Sequence, residues 1–195
     1  MTSREMNLSM PDSTYPKELI GNAVELSKLA TSEVPRRPRP EMASFTERGF
    51  ARSAISTAFN ALESLLIDLT QWYIEKNLAA KTICKHCASR INWELRDQKA
   101  NISRTLFEWP GVLFDVDLSK DPDFKKFENI RNFRNNLTHP LLTPFSDKKL
   151  DQTTLLLATT AERAHQVIED IAKMACTLHT VYGVPVPPEF SSPFR

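Results

Sequence analysis

The sequence predicts an all-α protein, an up-and-down helical bundle with an additional N-terminal helix. Apolar residues recur at steps of three and four through several long windows, the spacing of one face of an α-helix. Four glycines stand against thirteen prolines, which fits helices joined by proline-punctuated loops and argues against a hairpin-rich β protein. Long helices with short connections bury their stripes most simply as a bundle. The chain divides into an N-terminal extension (1–43), the bundle (44–190) and a short tail (191–195).

Composition narrows the classes further. The chain has 195 residues, 41% hydrophobic and 25% charged, ordinary values for a globular protein. A net charge of +1 gives no whole-chain field toward nucleic acid or membrane, so an anionic partner needs a local patch. No apolar run approaches the ~18–20 residues that span a bilayer, so no membrane partner is predicted. Residues 1–15 lack an apolar core, and no secretory signal is predicted there. Three cysteines, an odd number, read as free thiols in a reducing compartment. A cytoplasmic protein is the expectation.

Residues 1–15 show no period and read as a mobile lead-in. Residues 16–33 read as an amphipathic helix, with Pro16 at its first position and Leu19, Ile20, Ala23 and Val24 on its apolar side. The run 35–40, Pro-Arg-Arg-Pro-Arg-Pro, reads as an extended, solvated connector. A long helix is expected over 44–76. Ser44 and Glu47 form a capping-box pair, and Ala54, Ala58, Ala61, Leu62, Leu65 and Leu69 trace its stripe, small residues first, where a neighbour can approach closely.

Cys84-Lys85-His86-Cys87 has the spacing of half a zinc knuckle. A structural zinc site needs four ligands and the third cysteine, Cys176, is remote, so no metal and no cofactor are predicted. No βαβ pattern surrounds the pair, which argues against a thioredoxin-like role. Ile91, Leu95, Ile102 and Leu106, with Trp93 and Trp109, read as one or two shorter helices ending at Pro110, followed by a connector over 111–121. A last helix is expected over 151–182, with Leu155, Ala158, Glu162, His165, Ile168, Ala172 and Ala175 on one side. Gly183 closes it, and Pro185, Pro187 and Pro188 keep the tail extended. His165 and His179 read as packing residues and Cys176 as a small core hydrophobe.

The segment 121–140 carries the chemistry. Asp121-Pro122-Asp123 opens a helix with a capping residue, a proline and negative charge at the dipole's positive end. Phe124, Phe127, Ile130, Phe133 and Leu137 form its apolar stripe, and Pro140 ends it. Arg131, Asn135 and His139 are four apart and stack on one side. Arg134 and His139 lie about 140° apart on an ideal helix, so they approach one site only where the helix end unwinds at the proline.

Arg134-Asn135-Asn136-Leu137-Thr138-His139 resembles the signature of the HEPN superfamily, an Arg, a polar residue, a few positions and a His, closing a helix with long helices on both sides. The resemblance covers roughly residues 46–190. It implies a HEPN-like bundle and a metal-independent endoribonuclease with a composite site at a homodimer interface, often a toxin or phage-defence effector. RNA is the implied partner, with an antitoxin or other regulatory protein as a further one. Arg134, Asn135 and His139 take the catalytic positions, and Glu63 and Arg131 are candidate supporting residues. The chemistry agrees: histidine transfers protons near neutral pH, and a guanidinium fork matches phosphate oxygens. One histidine does not comfortably serve as acid and base in one step, and a symmetric dimer supplies two. Lys125, Lys126, Arg131, Arg134, Lys148 and Lys149 are candidates to line an RNA groove. The alternative is a non-catalytic helical dimer that binds a nucleotide or a partner protein.

Overall fold

A computed structural model of the chain describes residues 14–80, 82–96, 102–138 and 157–195. They form helices α1 (Thr14–Ser32), α2 (Phe45–Ala79), α3 (Lys85–Arg96), α4 (Ile102–Phe114), α5 (Phe127–Thr138), α6 (Ala161–Val181) and the single-turn α7 (Pro188–Ser191). Short 3-10 turns cover Val34–Arg36, Leu118–Lys120 and Phe124–Lys126. Among the described residues there is no β-strand, only an isolated bridge between Arg39 and Met42. The fold is all-α.

Helix α2 is the axis of the molecule. Its N-terminus is fixed by Ser44, whose hydroxyl accepts from the Glu47 backbone N–H at 3.0 Å, satisfying one of the helix's unpaired first-turn donors. Ala54, Ala58, Ala61, Leu62, Leu65 and Leu69 are buried, and so are Ala51, Ile55, Phe59 and Leu66 on adjoining sides. A helix apolar on several sides must be surrounded, and α1, α5 and α6 all pack on α2. Each buried leucine contributes about 2 kcal/mol relative to exposure.

Four long-range ties give the helix directions. Glu47 near the start of α2 accepts from the Ala161 N–H at the start of α6, at 3.0 Å. Further along both helices the hydroxyls of Thr70 and Tyr182 meet at 2.5 Å, so α2 and α6 run in the same sense. Lys126 pairs with Asp170 at 2.9 Å, whereas Arg163, two turns earlier on α6, stacks over Phe133. Helix α5 therefore runs opposite to α6. Thr31, at the end of α1, lines a small cavity with Ala161 and Glu162 at the start of α6, so α1 also runs opposite. Helices α1, α2, α5 and α6 alternate up and down in chain order, with α3 and α4 inserted between α2 and α5.

Five expectations are corrected. The run 35–40 is not a free connector: it opens with the turn Val34–Arg36, and Arg37 is drawn inward by two carboxylates described below. Helix α1, set apart by the sequence as an N-terminal extension, shares the core of α2, burying Ile20, Ala23, Val24 and Ala30. Helix α4 passes through Pro110 to Phe114, where Asp115, in the left-handed region at φ 57°, ends it. Helix α6 begins at Ala161 because Thr160 caps it, accepting from the Arg163 N–H at 3.2 Å. Its buried side is therefore Ala161, Ala164, Ile168, Ile171, Ala175 and Leu178, and Glu162 and His165 are exposed. The tail is not extended: α7 buries Phe190 against His179, and Phe194 stacks on His165 at 3.7 Å. The expectations for 1–13, 139–150 and 151–156 fall outside the described residues, as do those for the side chains of Trp93 and Leu95.

Candidate functional site

Helix α5 holds the candidate residues, and its apolar stripe fixes its rotation. Phe127, Ile130, Phe133 and Leu137 are all 5% exposed or less. Phe124 is buried in the preceding turn, and the Asp121 carboxylate sets that turn by accepting from the Asp123 N–H at 2.8 Å. Phe127 stacks on Phe59 of α2 with centroids 5.7 Å apart, and Phe107 of α4 meets Phe124 and Phe127 edge-on. Lys126 and Gln166 both donate to the buried carboxylate of Asp170. That ties Lys126 to the bundle, although its side chain stays exposed, as does that of Lys125.

With the stripe buried, Arg134 is brought against α2. Its guanidinium lies over the Phe59 ring, 5.3 Å from the centroid, within cation–π range. Nη1 donates to Asn135 Oδ1 at 3.2 Å and Nη2 to Asn60 Oδ1 at 3.4 Å. Two amide oxygens and a ring face thus set the plane of the guanidinium at the last turn of α5. Arg134 and Asn135, adjacent in sequence, lie together at the last turn of α5. His139, one position past the end of α5, lies outside the described residues.

The candidate supporting residues are placed differently. On α2, Phe59 and Asn60 both meet Arg134, through the ring face and the amide oxygen. Glu63 is half-buried, about one turn further along. Arg131 forms an ion pair with Glu128 on its own helix at 2.8 Å. Periodicity alone did not single out Asn60 or Arg163, whose guanidinium lies 5.4 Å from the Phe133 centroid. The usable signal for Asn60 was a polar residue beside an aromatic in the alanine-rich half of α2.

A second polar centre lies at the other arginine-rich segment. Arg37 donates through Nε and Nη2 to the Glu47 carboxylate at 2.9 and 2.6 Å, and through Nη2 to Glu162 at 2.7 Å. The Glu47 side chain is fully buried. Burial alone raises its pKa, but Arg37 and the Ala161 N–H outweigh that and hold the carboxyl below its ordinary value. Arg37 does the same for Glu162, and the two carboxylates raise the guanidinium in turn. This centre joins three chain segments and reads as structural.

Among the described residues no three His, Cys, Asp or Glu side chains come together as metal ligands, and no helix is long and apolar enough to cross a membrane. An open groove of about 710 Å³ runs between α6 and the C-terminal segment, lined by Asp123, Lys173, Cys176 and Phe194, among others. Arg134 and Asn135 do not line it. His179 is buried, and burial pushes its imidazole below the ordinary range. Compared with protein-family models, curated proteins and solved structures, the chain matches none of them.

Proposed function

We propose that this chain is a metal-independent endoribonuclease of the HEPN type, working as a homodimer whose two motif helices face one another. The observation that carries the reading is Arg134, oriented by Phe59, Asn60 and Asn135 at the end of α5, five residues before His139. In this reading Arg134 stabilises charge on the phosphate in flight. One His139 removes the proton from the 2′-hydroxyl, and its symmetry mate protonates the leaving 5′-oxygen. Asn135 orients the imidazole or donates to phosphate. The cellular setting that follows from the resemblance is a cytoplasmic toxin or defence effector restrained by a regulatory protein.

The test is cleavage of labelled RNA in EDTA by wild type, Arg134→Ala and His139→Ala, with circular dichroism to confirm folding. Wild type is expected to cut, and each substitution to lower the rate by about 100-fold or more. A shared acid and base give a bell-shaped dependence of rate on pH. Wild type that fails on varied RNAs, or variants that cut equally well, would leave a non-catalytic helical dimer that binds a nucleotide or a partner protein.

A further inference from the structure

Outside the candidate site, the sequence feature that the proposed nuclease does not use is the pair Cys84 and Cys87. The structure places it at the start of α3. Cys84 immediately precedes the first helical residue, Lys85, and its carbonyl accepts the first intrahelical bond, from the Ala88 N–H at 3.0 Å. Cys87 is therefore on the first turn, three residues on. The Cys84 sulfur lies near enough to the Cys87 thiol and to the His86 and Cys87 backbone N–H groups for each to influence its ionisation. Cys84 is exposed and Cys87 partly so. Cys176 is instead half-buried against the core.

From this geometry we infer that Cys84 and Cys87 form a reversible dithiol–disulfide couple, with Cys84 as the attacking sulfur and Cys87 as the resolving one. Residues three apart on a helix have Cβ atoms ~5–6 Å apart, and a disulfide needs ~3.5–4.5 Å. Cys84 stands just outside the helix, where backbone angles are free to supply that approach without breaking the following turns. No thioredoxin fold is needed for this step. What is needed is an accessible thiolate beside a second thiol at a helix N-terminus, where backbone N–H groups and the dipole favour the anion.

The ionisation preferences of the two sulfurs point the same way. The Cys87 N–H, the Cys87 thiol and the His86 N–H lower the pKa of Cys84. The hydrogen bond to Cys84 raises that of Cys87. Burial raises that of Cys176, which packs partly buried against the core on another helix.

The oxidant is a small disulfide, RSSR. The Cys84 thiolate attacks one sulfur of RSSR, its S–S bond breaks, and one RS⁻ leaves. Cys87, giving its proton to solvent, then attacks the Cys84 sulfur of the mixed disulfide and expels the second RS⁻. Two cysteine thiols are oxidised to one disulfide, and RSSR is reduced to two thiols after proton uptake. Excess thiol runs the sequence backwards.

The experiment equilibrates the full chain in buffers spanning reduced to oxidised glutathione, quenches with acid and alkylates the remaining thiols. Intact mass and peptide mapping follow. The expected result is loss of two alkylatable thiols in one step, a peptide linked within one chain through Cys84 and Cys87, and Cys176 still alkylated. Cys87→Ser should trap glutathione on Cys84, with the fold checked by circular dichroism. Three alkylated cysteines across the whole series would overturn the inference. So would glutathione adducts on both cysteines of the wild type, or a crosslink between two chains. Purified chain whose two thiols react only after a bound zinc is chelated would replace the redox couple with a metal site shared between copies.

Discussion

Arg37 and Arg134 are both held in place by side chains from other parts of the sequence, and the chemistry of the holding differs. Arg37 grips Glu47, which is out of contact with solvent, and bridges from it to Glu162. Opposite charges at hydrogen-bond distance, one of them desolvated, make an arrangement that fails badly if either side is removed. The described partners of Arg134 are two amide oxygens and the Phe59 ring. These contacts orient the guanidinium plane at the last turn of α5. The first arrangement suits a joint between segments, and in the proposed function the second orients Arg134 for phosphate.

Removing each guanidinium separates the two roles most sharply. Arg37→Ala leaves the Glu47 carboxylate buried and unmatched, and should cost about 3 kcal/mol of stability. Arg134→Ala should cost about 1 kcal/mol or less, the range of half-exposed polar substitutions, while abolishing cleavage. Urea unfolding followed by circular dichroism reads both. Equal losses of stability would erase the distinction.

The pH dependence of stability tests the same joint without changing its shape. Glu47 and Glu162 have lowered pKa values in the folded chain. The unfolded chain therefore binds more protons, and their contribution, complete above the ordinary carboxylate range, is lost as pH falls through the folded values. His179 is also lowered, by burial, so it removes stability in an earlier window, as pH falls below the ordinary histidine value of about 6.5. Unfolding midpoints measured across pH should show two acid limbs. Glu47→Gln should flatten the lower limb and His179→Leu the upper one. Limbs that do not respond to these substitutions would assign the acid sensitivity to other groups.

The same contrast explains what was legible beforehand. The stripe of α5, the alanine-rich face of α2 and the Ser44 cap are local patterns, written within a few residues of one another, and each appears in the fold. Arg37 was read as part of a solvated connector because its partners are 10 and 125 positions away. Pairing at that distance leaves no period to read. Glu47 was identified as a capping-box residue, yet its backbone alone serves Ser44, and its carboxylate goes to Arg37 and Ala161. The start of α6 was missed because the helical spacing of apolar residues continues through Thr159 and Thr160, and only the Thr160 hydroxyl shows where the helix begins. At the candidate site, Arg134 and Asn135 could be taken from the motif. Asn60 could not, since its role comes from how α5 docks on α2.

Smaller effects are expected from the caps beside the Arg37 joint. Ser44→Ala and Thr160→Ala each remove a side-chain acceptor from the first turn of a long helix and should each cost about 1 kcal/mol. Because both turns are also tied through Glu47, their losses should fall short of additive with Arg37→Ala, by about 0.5 kcal/mol or more. Full additivity would mean that the caps and the ion pairs act as separate devices.

The smallest change in stability, and the most direct test of the comparison, comes from Asn60→Asp. It keeps the size of the side chain and the oxygen that now accepts from Arg134 Nη2, but adds the negative charge that Arg37 meets at Glu47. Asn60 is exposed, so the new ion pair should stabilise the chain by only about 0.5 kcal/mol. Its effect on chemistry should be opposite in sign and larger. A carboxylate competes with phosphate for the guanidinium, so RNA cleavage should fall several-fold while the urea midpoint holds or rises slightly. Asn60→Ala separates loss of orientation from competition, since it removes the amide and adds no charge; it should impair cleavage less than Asn60→Asp. Cleavage that survives Asn60→Asp unchanged would mean that Arg134 does not meet the substrate's charge, even if Arg134→Ala is inactive.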